Sequence, residues 1–264
     1  MKILIKLGGT LLDKPESLKA LAKQLAELST QHQLIVVHGG GKQVTRFLEE
    51  RGVASSFKNG LRISDATVID AVTKVIAGSV NKQLVSAIIA AGRPAVGLSG
   101  VDGSLTRAVV LDADLQFVGK PVKTDRKLLD LLVNADYLPV IACLAGDADG
   151  NIYNVNADGM AVSCAVDWGA SKLLFITDVP GVKDKDGIVL RQLSREGMAQ
   201  MIESGVAHGG MQAKLQAADT ALDAGLEVVI ASGTEPDVCV RILAGDSTGT
   251  HLYSRKATIA GVQS

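Results

Sequence analysis

An α/β fold, with strands and helices alternating along the chain, is what this sequence predicts, and three observations carry that reading. Ile35-Val36-Val37 is a β-branched apolar run of the kind that fills a buried parallel strand. Gly39, Gly40 and Gly41 follow at once, and Val44, Phe47 and Leu48 then recur at helical spacing. A strand at Lys2 to Leu7, a helical stripe of Leu18, Leu21, Ala22, Leu25 and Leu28, and the strand at Leu34 to Val37 together make a right-handed βαβ unit. That unit places Lys6 and Gly39 near the carboxyl edge of one sheet. The 264 residues, 47% of them hydrophobic, suffice for one large domain or two small lobes with a sizeable core.

Each later element has its own signal. The strand–glycine–helix junction at 35–47 aims free backbone N–H groups, with the helix dipole behind them, at an anion. A tight turn without ligand accounts for three glycines equally well. Lys6, ending a buried strand beside Gly8 and Gly9, is costly unless an anion meets it or its stem snorkels to the rim. Lys58-Asn59-Gly60 marks a hairpin between Val53 and Ile63 that displays Arg62, either solvated or as a fork for a carboxylate. Ser64-Asp65 reads as an N-cap pair for a helix to Ala91, with Gly78 as a break. Pro94 to Leu98 is a strand, Leu105 to Val122 an antiparallel excursion around Asp112-Ala113-Asp114, Leu128 to Val133 a helix and Tyr137 to Leu144 a core strand. Asn156 is placed to cap the helix through Ala161 and Val162 to Trp168. A second α/β set begins at Lys172, with a lobe junction near Gly169. Asp178-Val179-Pro180-Gly181-Val182 is a sharp turn at its first strand end, and Ser194 opens a helix. Met211, Leu215, Ala218 and Leu222 form a core stripe, and Lys214 on that helix works against its dipole unless an anion is near. Glu227 to Ala231 is a strand, and the sequence after Arg255 reads as frayed.

Several function classes are excluded. A Walker A loop needs glycine where Val36 stands and serine or threonine where Gln43 stands. A dinucleotide fingerprint from Gly39 needs glycine or alanine at Val44. The four histidines make no metal spacing, and no Gly-x-Ser-x-Gly elbow occurs. Aromatic content of 3% and a net charge of −1 disfavour nucleic acid as a partner. Cys143, Cys164 and Cys239 lie apart in apolar surroundings and read as buried thiols in a reducing compartment. With no apolar run of membrane-spanning length and no signal-peptide pattern, no membrane association and a cytoplasmic location are expected.

Six segments stand in order: KLGGT (6–10), VHGGGK (37–42), NGLR (59–62), YNVNAD (153–158), TDVPGV (177–182) and GGMQAK (209–214). Together they resemble the amino-acid kinase family over nearly the whole chain, most of all its members that act on N-acetylglutamate. The resemblance implies a three-layer αβα sandwich with a mainly parallel central sheet, as in carbamate kinase-like folds. It implies a single domain, its N-terminal lobe (about 1–169) holding the acylated amino acid and its C-terminal lobe (about 170–264) holding ATP. The implied activity is that of a phosphotransferase with a carboxyl acceptor. The γ-phosphoryl of ATP would pass to the side-chain carboxylate of N-acetyl-L-glutamate, in arginine biosynthesis. By motif, Lys6 and Lys214 would flank the transferring phosphoryl and Asp158 would hold both lysines. Gly8, Gly9 and Gly40 would donate backbone N–H bonds to it. Gly40, Gly41, Arg62, Asn154 and Asn156 would bind the acylated substrate. Asp178, Val179, Pro180, Gly181, Val182 and Lys183, with Val206, Ala207 and His208, would line the nucleotide site. Mg2+ would come bound with ATP, with no metal site of the protein's own.

Gly159-Met160 departs from the family pattern after Asp158, which leaves helix packing there open. The chain starts almost at its first strand, without the extra N-terminal helix of arginine-inhibited members, so a plain homodimer is expected. The alternatives are a kinase for a related acylated or carrier-linked glutamate or aminoadipate, and a non-catalytic acyl-amino-acid sensor of the same fold. A sensor has no need of two lysines and an aspartate that neutralise a phosphoryl group.

Overall fold

The computed structural model describes residues 1–254, and the segment after Arg255 expected to fray lies outside them. Strand β1 (Lys2–Leu7) buries Ile3, Leu4, Ile5 and Leu7 completely. Helix α1 (Pro15–Gln31) starts with proline in its first turn and turns Leu21, Leu25 and Leu28 to the core. Strand β2 (Gln33–His38) follows, and α2 (Gly41–Glu49) begins directly after Gly40. The hairpin β3 (Phe57–Lys58) and β4 (Leu61–Arg62) turns through Asn59 (φ 52°) and Gly60 (φ 77°). Two positive φ angles are what the primed hairpin turn demands of an Asn-Gly pair.

Helix α3 (Ala66–Val72) is capped by Asp65, whose carboxylate accepts from the Val68 N–H at 2.8 Å. The break expected at Gly78 does not occur. The chain runs on through a π-helical stretch, Thr73–Val80, into α4 (Asn81–Ala90). Next come β5 (Ala95–Ser99), the antiparallel pair β6 (Thr106–Val110) and β7 (Val118–Thr124), and α5 (Arg126–Asn134). The core strand expected from Tyr137 to Leu144 is two strands parted at Cys143, β8 (Leu138–Ala142) and β9 (Leu144–Gly146). Strand β10 (Ile152–Val155) leads into α6 (Ala157–Trp168), where Asn156 caps the helix as predicted. The open question at Gly159-Met160 is resolved by geometry: Met160 is fully buried, and a Cβ on Gly159 would meet open space.

The second α/β set comprises β11 (Lys172–Thr177), β12 (Gln192–Ser194), α7 (Arg195–Glu203), α8 (Gly209–Asp223), β13 (Glu227–Ser232), α9 (Val238–Leu243) and β14 (Thr250–Tyr253). Among the described residues the central sheet has the order β12-β14-β13-β11-β1-β2-β8-β5, in which only β13 and β14 pair antiparallel. Helices α5, α6, α7 and α8 neighbour one another, as do α4, α1 and α9, giving the two outer layers. Strands β10, β7, β6 and β9 close a separate small barrel. Because β11, β1 and β2 are adjacent and parallel, the turns after Thr177, Leu7 and His38 meet at one sheet edge. Among the described residues no helix is long and apolar enough to cross a membrane.

Candidate active site

Three ionised side chains meet at that edge. Lys6 comes from β1, Asp158 from the first turn of α6 and Lys214 from α8, and all three are buried. The Lys6 Nζ lies 2.7 Å from Asp158 Oδ1, and the Lys214 Nζ lies 3.1 and 2.9 Å from Oδ1 and Oδ2. Burial alone would push the Asp158 carboxyl up, but the two ammonium groups outweigh it and hold it below its ordinary range. Burial and the neighbouring Lys6 lower the pKa of Lys214 against the pull of Asp158. The Lys214 ammonium also sits over the Phe175 ring, 5.2 Å from its centroid. Two cations on one carboxylate leave a buried excess of positive charge, a state that favours a bound anion.

The two glycine turns close this edge. A Cβ on Gly9 would lie 3.1 Å from both Cα and N of Gly40, so the turns approach backbone to backbone. Gln43, on α2, bridges them by donating from Nε2 to the Gly9 carbonyl at 2.8 Å. The Gly8 N–H donates to the Ile176 carbonyl at 2.8 Å, so that group is committed to the sheet edge rather than to a phosphoryl. Among the described residues the Gly9 and Gly40 N–H groups have no protein acceptor.

Beside them is a cavity lined by Gly40, Gly41, Arg62, Ile76, Asn154 and Asn156. Arg62 is not displayed to solvent as its hairpin suggested. It is buried, folded back over the first turn of α2. Its Nη2 donates to the Gly41 carbonyl at 2.9 Å and to Thr45 Oγ1 at 2.7 Å, and Nη1 donates to Ser55 Oγ. The Phe57 ring stacks on the guanidinium at 4.8 Å. Among the described residues no carboxylate pairs with Arg62, and burial lowers its pKa. Asn154 Nδ2 donates to Ser64 Oγ at 3.2 Å, and Ser64 Oγ donates to the Arg62 carbonyl at 3.1 Å. Ser64 is thus a buried strut of the cavity wall, with capping left to Asp65 alone. Asn156 spends its side-chain oxygen on the Asp158 and Gly159 N–H groups, at 2.9 and 3.2 Å.

The remaining predicted residues lie on two loops. Asp178, after β11, accepts from the Thr10 and Thr177 hydroxyls, each at 3.1 Å. Partial burial works against its carboxylate, but its own N–H, these hydroxyls and Lys42 hold its pKa below the ordinary value. Val179 and Pro180 are half-buried, Gly181 and Val182 buried, and Lys183 exposed. The Val182 N–H is anchored on Thr250 Oγ1 at 2.8 Å. Val206, Ala207 and His208 precede α8, with Ala207 buried and His208 exposed at the helix start.

The sequence profile of the amino acid kinase family matches residues 1–232. The chain belongs to the amino-acid kinase family. It is 50% identical over 256 residues to an acetylglutamate kinase of Solibacter usitatus, an alignment covering 96% of this chain and 100% of that protein. An acetylglutamate kinase of Endomicrobium trichonymphae is 40% identical over 230 residues, 87% of this chain and 92% of that one. Among solved structures, smu.665 from Streptococcus mutans UA159 superposes with a TM-score of 0.83 at 26% identity, covering 96% of this chain and 99% of that one. The N-acetylglutamate synthase from Neisseria gonorrhoeae, complexed with coenzyme A and N-acetyl-glutamate, shares the fold (TM-score 0.85, 24% identity, 96% of this chain and 59% of that one).

In this family member, then, the residues singled out from the sequence fall into a charged centre, a cavity and two loops around one sheet edge. Sequence reasoning missed Gln43, Ser55, Thr45 and Phe175, and it read Ser64 only as a cap. Each is an ordinary polar or apolar residue whose contribution is a contact made across the fold, and no local pattern marks it.

Proposed function

We propose that the chain transfers the γ-phosphoryl group of ATP to the side-chain carboxylate of N-acetyl-L-glutamate, forming N-acetyl-L-glutamyl 5-phosphate for arginine biosynthesis. The observation that carries this reading is the buried pair Lys6 and Lys214 on the single carboxylate of Asp158. Phosphoryl transfer asks a protein for positioning and charge neutralisation rather than covalent chemistry. The acceptor carboxylate is already ionised near neutral pH, so no general base is required. What must be overcome is repulsion between two anions, and each lysine about 4 Å away offsets roughly 4 kcal/mol of it at an effective dielectric near 20. Asp158 aims both ammonium groups, while Gly9 and Gly40 offer N–H donors to the phosphoryl oxygens. Gly8 shapes the turn instead of donating.

Arg62 is the anchor for the acylated amino acid, because a buried guanidinium facing only neutral oxygens is relieved by a substrate carboxylate. Gly40, Gly41, Asn154 and the free amide hydrogens of Asn156 complete that side. The loops Asp178 to Lys183 and Val206 to His208 line the nucleotide, with Mg2+ arriving as part of MgATP. This divides the molecule into an acyl-amino-acid lobe (about 1–169) and a nucleotide lobe (about 170–264). The reading carries with it a cytoplasmic homodimer. The names of the relatives support the substrate, and the identities of 50% and 40% make that support strong.

Hydroxylamine trapping tests it. With MgATP, hydroxamate forms from N-acetylglutamate and far less from free glutamate or aspartate. Turnover of ATP with a different acylated acceptor alone would sink the substrate assignment.

A further inference from the structure

His38 ends β2, whose other inner residues are apolar, and it is completely buried. A buried imidazole in such a strand calls for partners, and two are present. Nδ1 lies 2.9 Å from the carbonyl of Gly39, the first residue of the glycine turn. Nε2 lies 3.0 Å from Nδ2 of Asn81, the first residue of α4. Burial brings the His38 pKa down to about 4, so the ring is neutral near pH 7, with one donor and one acceptor nitrogen. A carbonyl only accepts, so Nδ1 carries the hydrogen and Nε2 accepts from Asn81.

The rest of the network is equally determined. The second Asn81 amide hydrogen goes to the Val140 carbonyl on β8 at 2.9 Å. Asn81 Oδ1 accepts from Lys82 Nζ at 3.1 Å, and Lys82 Nζ also donates to the Gly97 carbonyl on β5 at 3.0 Å. A Cβ on Gly97 would lie 2.0 Å from Asn81 Oδ1, so the amide reaches this place only because residue 97 is glycine. The π-helical stretch runs directly into Asn81, and its Ile76 side chain packs on Gly40, the second glycine of the turn, 3.1 Å from where a Gly40 Cβ would be. π-Helical turns of this kind recur at functional sites.

We infer that the buried His38–Asn81 pair is a positioning device, in which the Nδ1–H of His38 fixes the Gly39 carbonyl and thereby aims the Gly40 N–H at the transferring phosphoryl group. Fixing one face of the 39–40 peptide sets the direction of its N–H on the other, because the peptide unit is planar. A preorganised donor of this kind acts on developing charge and not on ground-state affinity. His38 touches no reactant itself. The inference rests on the phosphoryl-transfer reading, and parent activity in the hydroxamate assay tests that reading separately.

The experiment compares His38→Asn, whose amide nitrogen can replace Nδ1, with His38→Gln, whose amide reaches toward Asn81 and leaves Gly39 unsupported. With an active parent, His38→Gln lowers kcat by about 10- to 100-fold, given that small misplacements are amplified in transfer rates. KM for N-acetylglutamate changes little, and His38→Asn recovers most of the lost rate. Equal losses in both variants, a normal His38→Gln, or a rise in KM alone would overturn the inference. Should His38→Gln fail to fold, 15N NMR of the histidine ring in the parent decides. The Nδ1–H tautomer supports the device, and an Nε2–H or doubly protonated ring refutes it.

Discussion

Two clusters of lysine and aspartate in this molecule have similar distances and opposite meanings. On the hairpin side, Lys58 Nζ bridges Asp112 and Asp114 at 2.8 and 2.6 Å, with side chains 37, 39 and 75% exposed. At the sheet edge, Asp158 bridges Lys6 and Lys214 at 2.7 and 2.9 Å, with every side chain no more than 9% exposed. The first has one negative charge too many, which water screens at little cost. The second has one positive charge too many where little water reaches it, so its imbalance is a standing demand for an anion. Ion-pair geometry alone therefore says little about function, and burial together with the sign of the excess says much more.

The contrast breaks if the buried lysines prove dispensable. Lys6→Ala and Lys214→Ala each lower kcat by roughly 10²- to 10³-fold or more in steady-state hydroxamate assays. Asp158→Asn comes next, with kcat down by about 10²-fold, since the ammonium groups lose the group that aims them. Combined with Lys6→Ala it costs less than the product of the single effects, as expected of residues acting as one unit; a fully multiplicative loss would separate them. A smaller effect falls on binding. Arg62→Lys keeps the charge but loses the fork, and raises KM for N-acetylglutamate about 10-fold, or roughly 1.4 kcal/mol. If KM for ATP rose instead, Arg62 would belong to the nucleotide side. Smallest of all, Lys58→Ala leaves kcat unchanged and shifts Tm by about 2 °C at most, as exposed pairs do. A large loss of activity there would show that the exposed clasp holds the hairpin over the cavity.

Most local signals in the sequence match the structure, the break expected at Gly78 being the exception, while most contacts made across the fold carry no such signal. The βαβ unit through His38 followed from periodicity, and the Asn59-Gly60 turn, the Asn156 cap and the Ser194 cap followed from side-chain chemistry at fixed positions. The apolar run from Tyr137 to Leu144 gave no hint that its halves join different sheets, because either sheet buries both faces of a strand. Gly78 signalled a break, yet a glycine is also tolerated where a helix widens to π geometry. The turn chemistry around Arg62 was right about the hairpin and silent on what the hairpin folds against. The short elements β12, β14 and α9 carry too few residues for a pattern. In the site, Lys6 and Lys214 stood out because each is costly where it is, and that anomaly was visible without the fold. Their meeting on Asp158 was not, since three distant segments must be brought together.

The buried excess charge is expected to act on the transition state and not on the bound ground state. Single-turnover phosphoryl transfer, measured beside calorimetric binding of N-acetylglutamate for the parent, Lys6→Ala and Lys214→Ala, tests it most directly. Transfer that collapses by roughly 10²-fold or more in both variants while the binding constant moves only a few-fold is the predicted result. Near-normal transfer by either variant, or a parent that binds tightly and transfers nothing, would contradict it.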